Sequence, residues 1–171
     1  MSYSRNFGFR SFENIVRNGR FRAPGTGTPL LIGAPVIIDS ATPGYLKPAT
    51  AGAAPGLGGV VLFEHIQVKG VDPVTVGTET FQTVPLGQYA QIVHGPGTKV
   101  WFKNTAAKTM YDGRVIPAAA LIPASGLAVG DGLTPDGAGK FKKATVGTDP
   151  VWLVIEQINA TTGLVEARFS F

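Results

Sequence analysis

The clearest hydrophobic pattern lies at the C-terminal end. Val165, Ala167, Phe169 and Phe171 alternate with Glu166, Arg168 and Ser170, the period of a strand with one face in a core. A mostly apolar run over 151–158 precedes it. The intervening Asn159-Ala160-Thr161-Thr162-Gly163 has the length and the glycine of a hairpin loop. A second hairpin is expected over 88–103, where Tyr89, Gln91, Val93 and then Thr98, Val100, Phe102 alternate around His94-Gly95-Pro96-Gly97. Residues 39–59 read as an Ala/Gly/Pro-rich loop. Helical spacing is confined to 12–18, with 117–125 ambiguous. Ser11 can cap 12–18, Glu13 and Arg17 suit its ends, Gly19 follows, and Phe12, Ile15 and Val16 share a face. Two turns do not hold alone in water, so this helix is expected to dock.

The two ends of the body align with each other. Gly33-Ala34-Pro35-Val36 corresponds to Gly130-Asp131-Gly132-Leu133, and Tyr45-Leu46-Lys47-Pro48-Ala49-Thr50 to Lys140-Phe141-Lys142-Lys143-Ala144-Thr145. Val60-Val61-Leu62-Phe63-Glu64-His65-Ile66 corresponds to Trp152-Leu153-Val154-Ile155-Glu156-Gln157-Ile158. This repeat predicts two related β-motifs in one all-β, barrel- or sandwich-like body over 30–171.

Composition supports that class. The chain has 171 residues, with 23 glycines, 13 prolines and 15% charged residues. That is too apolar for disorder and too rich in breakers for a helix bundle. The charge is uneven. Residues 1–22 hold Arg5, Arg10, Arg17, Arg20 and Arg22 against Glu13, a balance of +4 that equals the net charge of the chain. Residues 1–29 therefore read as a basic arm ending in a Gly/Pro/Thr linker, separable from a neutral body. The arm is the candidate partner-binding site. Arg5, Arg10, Arg17, Arg20 and Arg22 can fork onto carboxylates, and Phe7, Phe9, Phe12, Ile15, Val16 and Phe21 can fill apolar pockets. A chain lacking 1–22 is expected to fold and to lose its partner.

Catalytic signatures are not found. Cysteine is absent and the two histidines, His65 and His94, are 29 positions apart, which is not metal-ligand spacing. No phosphate loop, dinucleotide fingerprint or GxSxG occurs. Asp131 and Asp136 flank a Gly/Pro turn and read as turn residues. Lys140, Lys142 and Lys143 read as solvated surface, and Asn159-Ala160-Thr161 as a turn. Neither an enzyme nor a cofactor is expected. No apolar run is long enough for a membrane span, and the first residues do not read as a secretory signal.

Leu127-Ala128-Val129-Gly130-Asp131-Gly132-Leu133, continuing through Gly139-Lys140-Phe141-Lys142-Lys143-Ala144-Thr145 to Val151-Trp152-Leu153-Val154-Ile155-Glu156, resembles the head decoration (cement) proteins of tailed phages. The likeness covers roughly 30–66 and 125–171. At Asp149-Pro150-Val151 the chain departs from the Gly-Val-Ala that opens the last strand in that family. The resemblance implies a non-enzymatic structural protein, usually a homotrimer. It is made in the host cytoplasm and sits on the capsid surface of the virion, clamping major capsid protein subunits. Two alternatives stand beside it: a tail-tube or other virion subunit, and a nucleic-acid-binding module using the arm. The neutral body disfavours the latter.

Overall fold

The computed structural model describes residues 7–9, 15–16, 21–31, 33–55, 58–63, 74–76, 79–81, 83–84, 86–93, 95–103, 108–109, 115–116 and 121–171. Its strands are β1 (Phe7–Phe9), β2 (Ile15–Val16), β3 (Leu30–Leu31), β4 (Pro35–Ile38), β5 (Leu46–Pro48), β6 (Gly58–Phe63), β7 (Val74–Val76), β8 (Glu79–Phe81), β9 (Thr83–Val84), β10 (Ala90–Val93), β11 (Lys99–Lys103), β12 (Lys108–Thr109), β13 (Val115–Ile116), β14 (Gly132–Pro135), β15 (Phe141–Lys143), β16 (Leu153–Asn159) and β17 (Leu164–Phe169). One antiparallel sheet has six strands in the order β1-β11-β17-β16-β14-β15, and a second has five in the order β2-β10-β6-β4-β5. The pairs β3·β9, β7·β8 and β12·β13 form two-stranded sheets of their own. The described residues contain no α-helix, and the chain is all-β.

Among the described residues neither sheet closes into a barrel. Each ends on a short strand whose outer edge is met by a neighbouring segment. Leu121 accepts the N–H of Phe141 on β15 at 2.8 Å, and Arg22 accepts the N–H of Leu46 on β5 at 2.8 Å. Single bonds of this kind blunt an edge that would otherwise recruit another chain.

The repeat read from sequence recurs in the pairing. β4 lies between β5 and β6, as β14 lies between β15 and β16. Val36, Ile37 and Ile38 face Pro48, Lys47 and Leu46; their counterparts Leu133, Thr134 and Pro135 face Lys143, Lys142 and Phe141. The connecting turns also match. Asp39 N–H donates to Tyr45 O and Asp136 N–H to Lys140 O. Each aspartate carboxylate accepts the N–H two residues on, from Ala41 and Ala138. Gly44 and Gly139 both take φ of +84°, where a side chain would strain the turn. The third strand is set two residues further along than the sequence alignment puts it, since Pro35 faces Val60 whereas Gly132 faces Val154. A two-residue slip keeps every side chain on its face.

The larger core collects Val100, Phe102, Leu133, Phe141, Leu153, Ile155, Val165, Ala167 and Phe169 from the six-stranded sheet, with Trp152 just ahead of β16, Leu31 on β3, Ala34 and Ala49 beside β4 and β5, and Val93 on β10. The smaller holds Ala23, Leu30, Val36, Leu46, Val84, Ala90 and Ile92. Thr134 is fully buried on β14 and its hydroxyl has no hydrogen-bond partner. A buried orphan hydroxyl costs about 1–3 kcal/mol. Thr134→Val keeps the shape and is expected to raise the denaturation midpoint; a fall would show that the hydroxyl is satisfied.

Several expectations change. The C-terminal hairpin forms as β16 and β17, with a bulge that leaves Glu156 out of register between Ile155 and Gln157. The 88–103 hairpin does not form: β10 joins the five-stranded sheet and β11 the six-stranded one. The reason lies in the turn, where Gly97 N–H donates to Phe169 O and Phe169 N–H to Thr98 O. These bonds draw the chain onto β17, while Val93 and Val100 still share the larger core. Residues 39–59 are not all loop, since β5 lies within them. In the stretch expected as helix 12–18, Ile15 and Val16 form a strand against Val93 and Ile92; its other residues lie outside those described. Of 117–125, residues 121–125 are bends and coil.

Candidate partner-binding surface

Two pieces of the arm extend the sheets rather than standing off them. Phe7, Gly8 and Phe9 pair with Phe102, Trp101 and Val100, and Ile15 and Val16 with β10. Arg5, Arg10, Phe12, Arg17 and Arg20 lie outside the described residues, as do Glu64, His65 and His94. Phe21 is half-buried against the smaller core. Ala23, at the head of the expected linker, is fully buried. Its N–H donates to Gln88 O at 2.8 Å, and Pro24 O accepts from Gly87 N–H at 2.9 Å. Arm and body are therefore joined here by ladder-like bonds, not by a free tether.

Among the described residues of the arm, Arg22 is the charged one. It bridges Tyr45 on one side and Tyr89 on the other. Its N–H donates to Gly44 O at 2.9 Å and its carbonyl accepts from Leu46. The guanidinium lies over the Tyr89 ring, 4.4 Å from the centroid. Nη2 donates to the Tyr89 hydroxyl at 2.7 Å. That bond, then the charge interaction with Tyr89, holds the Arg22 pKa above its ordinary value. Arg22 is exposed and Tyr89 is 41% exposed, so a cation and an aromatic face stand together at the surface. Beside them is a cleft of about 380 Å³ lined by Pro24, Gly25, Thr26, Asp39, Thr42, Tyr45, Leu46 and Lys47.

Among the described residues, several other charged groups are tied to each other. The Glu156 carboxylate, aimed outward by the bulge, takes Lys99 Nζ and Arg168 Nε, each at 2.7 Å. Asp131 pairs with Lys143 at 2.8 Å and accepts Ala128 N–H. Asp149 pairs with Lys142 at 3.2 Å and accepts Thr145 N–H. Asp39 pairs with Lys47 at 3.1 Å. Asp136 accepts two backbone N–H groups of its turn, and Asn159 caps Thr161 and Thr162, as turn residues do.

These bonds lower four carboxylate pKa values. The first cause is Lys47 for Asp39, Lys143 for Asp131, the Thr145 N–H for Asp149 and Lys99 for Glu156. A carboxylate that binds protons less readily when folded contributes stability that is complete above its unfolded pKa and is lost as the pH falls through the depressed folded one. The denaturation midpoint is expected to fall on acidification below about pH 4, the ordinary carboxylate range. A midpoint that rises between pH 5 and pH 3 would contradict this.

Sequence reasoning named Arg22 but not Tyr45 or Tyr89 as its neighbours. One clue was present: the repeat sets Tyr45 opposite Lys140, so one copy carries a ring where the other carries a charge. No protein-family model matches the chain, and no curated protein matches it.

Proposed function

We propose that this chain is a structural virion protein, a decoration protein that binds the outside of a tailed-phage capsid and bridges neighbouring major capsid protein subunits. The observation that carries the reading is the placement of charge. The whole excess of +4 lies in residues 1–22, interleaved with aromatic rings, ahead of a neutral body. The resemblance of 30–66 and 125–171 to decoration proteins points the same way. So does the tying of Asp39, Asp131, Asp149 and Glu156 into ion pairs, with lowered proton affinity that suits these four poorly to general-acid work near neutral pH. A protein that binds the assembled shell and not its dissociated subunits stabilises the shell by mass action. Many copies multiply a modest contact energy, and self-association as a trimer would place several arms at one seam.

The test is co-sedimentation of the full chain with purified capsids. The parent is expected to pellet with the particles. A chain with Arg5, Arg10, Arg17 and Arg20 all changed to Gln is expected to stay in the supernatant. Parent protein that stays in the supernatant overturns the reading, and undiminished binding by the variant removes the arm from it. Preferential binding to single-stranded nucleic acid, weakening steeply with salt, would favour a nucleic-acid module instead.

A further inference from the structure

The two copies of the repeat differ at one structurally equivalent position. In the second, Leu121 accepts the Phe141 N–H and is buried. In the first, Arg22 accepts the Leu46 N–H in the same way, but its side chain stands at the surface. Ala23-Pro24 and Ile122-Pro123 follow in the two copies, with Ala23 and Ile122 both buried. A position that plugs a core in one unit thus presents a cation in the other.

We propose that Arg22, Tyr89 and Tyr45 form a docking site for a carboxylate side chain on an acidic segment of a partner protein. The guanidinium is held in place before any partner arrives. Its backbone is bonded on both sides, one face lies on the Tyr89 ring, and one N–H is committed to the Tyr89 hydroxyl. A guanidinium has five N–H donors in a planar fork, so the remaining edge can take a carboxylate bidentately. Among the described residues its side chain meets Tyr89 and Tyr45 and no carboxylate. By contrast Lys47, Lys99, Lys142, Lys143 and Arg168 each already hold a carboxylate. Charge complementarity therefore selects an acidic partner, and the concentration of the net charge in residues 1–22 extends the same preference along the chain that leads to Arg22. Tyr45 also lines the adjoining cleft, which gives the residues flanking the bound carboxylate a recess to enter. Arginine and tyrosine in one preorganised cluster are the composition of interface hot spots.

The inference rests on the reading of this chain as a partner-binding structural protein, and its test does not need the capsid. The probe is a hexaglutamate peptide titrated into the full chain at low salt, followed by the ring signals of Tyr45 and Tyr89 in NMR. Hexaglutamine and a single-stranded oligonucleotide of equal charge serve as comparisons. Hexaglutamate is expected to shift both rings, and Arg22→Ala to weaken its binding by about tenfold or more, the scale of losing a charge-assisted bond. Arg22→Lys keeps the charge and loses the fork, so it is expected to bind less tightly than the parent. Arg168→Ala is expected to bind as the parent does. A thermal melt checks that each variant is folded, and Tyr89→Phe, which keeps the ring, stands in if Arg22→Ala is not. Equal affinity of parent and Arg22 variants, or of parent and Tyr89→Phe where that variant is the one read, overturns the proposal. So does stronger binding of the oligonucleotide than of hexaglutamate. Arg22-dependent binding of hexaglutamate by a chain that fails to pellet with capsids would keep this site and discard the capsid as its partner.

Discussion

Replacing Trp152 with alanine is expected to lower the unfolding free energy by about 3–5 kcal/mol, the range for removing a large buried aromatic side chain. Trp152 is fully buried in the larger core. Its ring meets Phe171 edge to face at 5.7 Å. Its Nε1–H donates to Ala53 O at 2.9 Å, across 99 positions of sequence. Ala53 closes the last turn of the first β-motif, where its N–H donates to Thr50 O, and Trp152 opens the last strand pair of the second. One side chain thus fastens the two repeats together, and its loss opens a cavity at their junction. Trp152→Phe refills much of the space but strands the Ala53 carbonyl, and is expected to cost about 1–3 kcal/mol. Urea denaturation followed by Trp101 fluorescence measures both, since Trp101 and Trp152 are the two tryptophans. An alanine variant within about 1 kcal/mol of the parent, below the range for such cavities, would show that the junction is not held there.

Deleting residues 1–22 is expected to leave a destabilised, self-associating chain rather than an intact body. The cut removes β1 from β11 and β2 from β10, so two strands lose their outer partners. It also removes Phe21 O, which accepts the Ala90 N–H, and Arg22 O, which accepts the Leu46 N–H. Ala90 and Leu46 are both buried, and each orphaned N–H costs about 1–3 kcal/mol. Two newly bared edges invite pairing between molecules. Size-exclusion chromatography is expected to show larger species and thermal melting a lower midpoint. A monodisperse truncated chain that melts with the parent would restore the separable arm. This is why the arm is better probed by substitutions within the full chain.

The all-β class was legible because its signals are local. Alternation over 165–171, glycine at fixed turn positions, and the recurrence of Lys-x-Ala-Thr-like strands each need only neighbouring residues. The C-terminal hairpin and the turn at Asp136 follow from such signals, whereas the matching turn at Asp39 lay within the stretch that read as loop. Partner choice was not legible. Tyr89–Val93 and Thr98–Phe102 carry the alternation of a hairpin, yet β10 pairs with β6 and β2, and β11 with β17 and β1, because Gly97 and Thr98 are bonded to Phe169. The arm misled for a related reason. The spacing of Phe12, Ile15 and Val16 is a weak helical preference, and at Ile15 and Val16 an available strand edge overrides it. The surface cluster around Arg22 was half visible: the arginine stood out by charge, while Tyr45 and Tyr89 come to it only through the bridges to either side.

The unequal connections of the two repeats have a practical consequence. Between β6 and β10 the first unit carries residues 64–89, which include the β7·β8 pair, whereas the matching β16 and β17 are joined by 160–163 alone. The same architecture therefore already supports a long excursion at that tip in one of its halves. The short loop at Thr161-Thr162, exposed and capped by Asn159, is accordingly the place to graft a foreign epitope or tag, with the strands beneath serving as its mount.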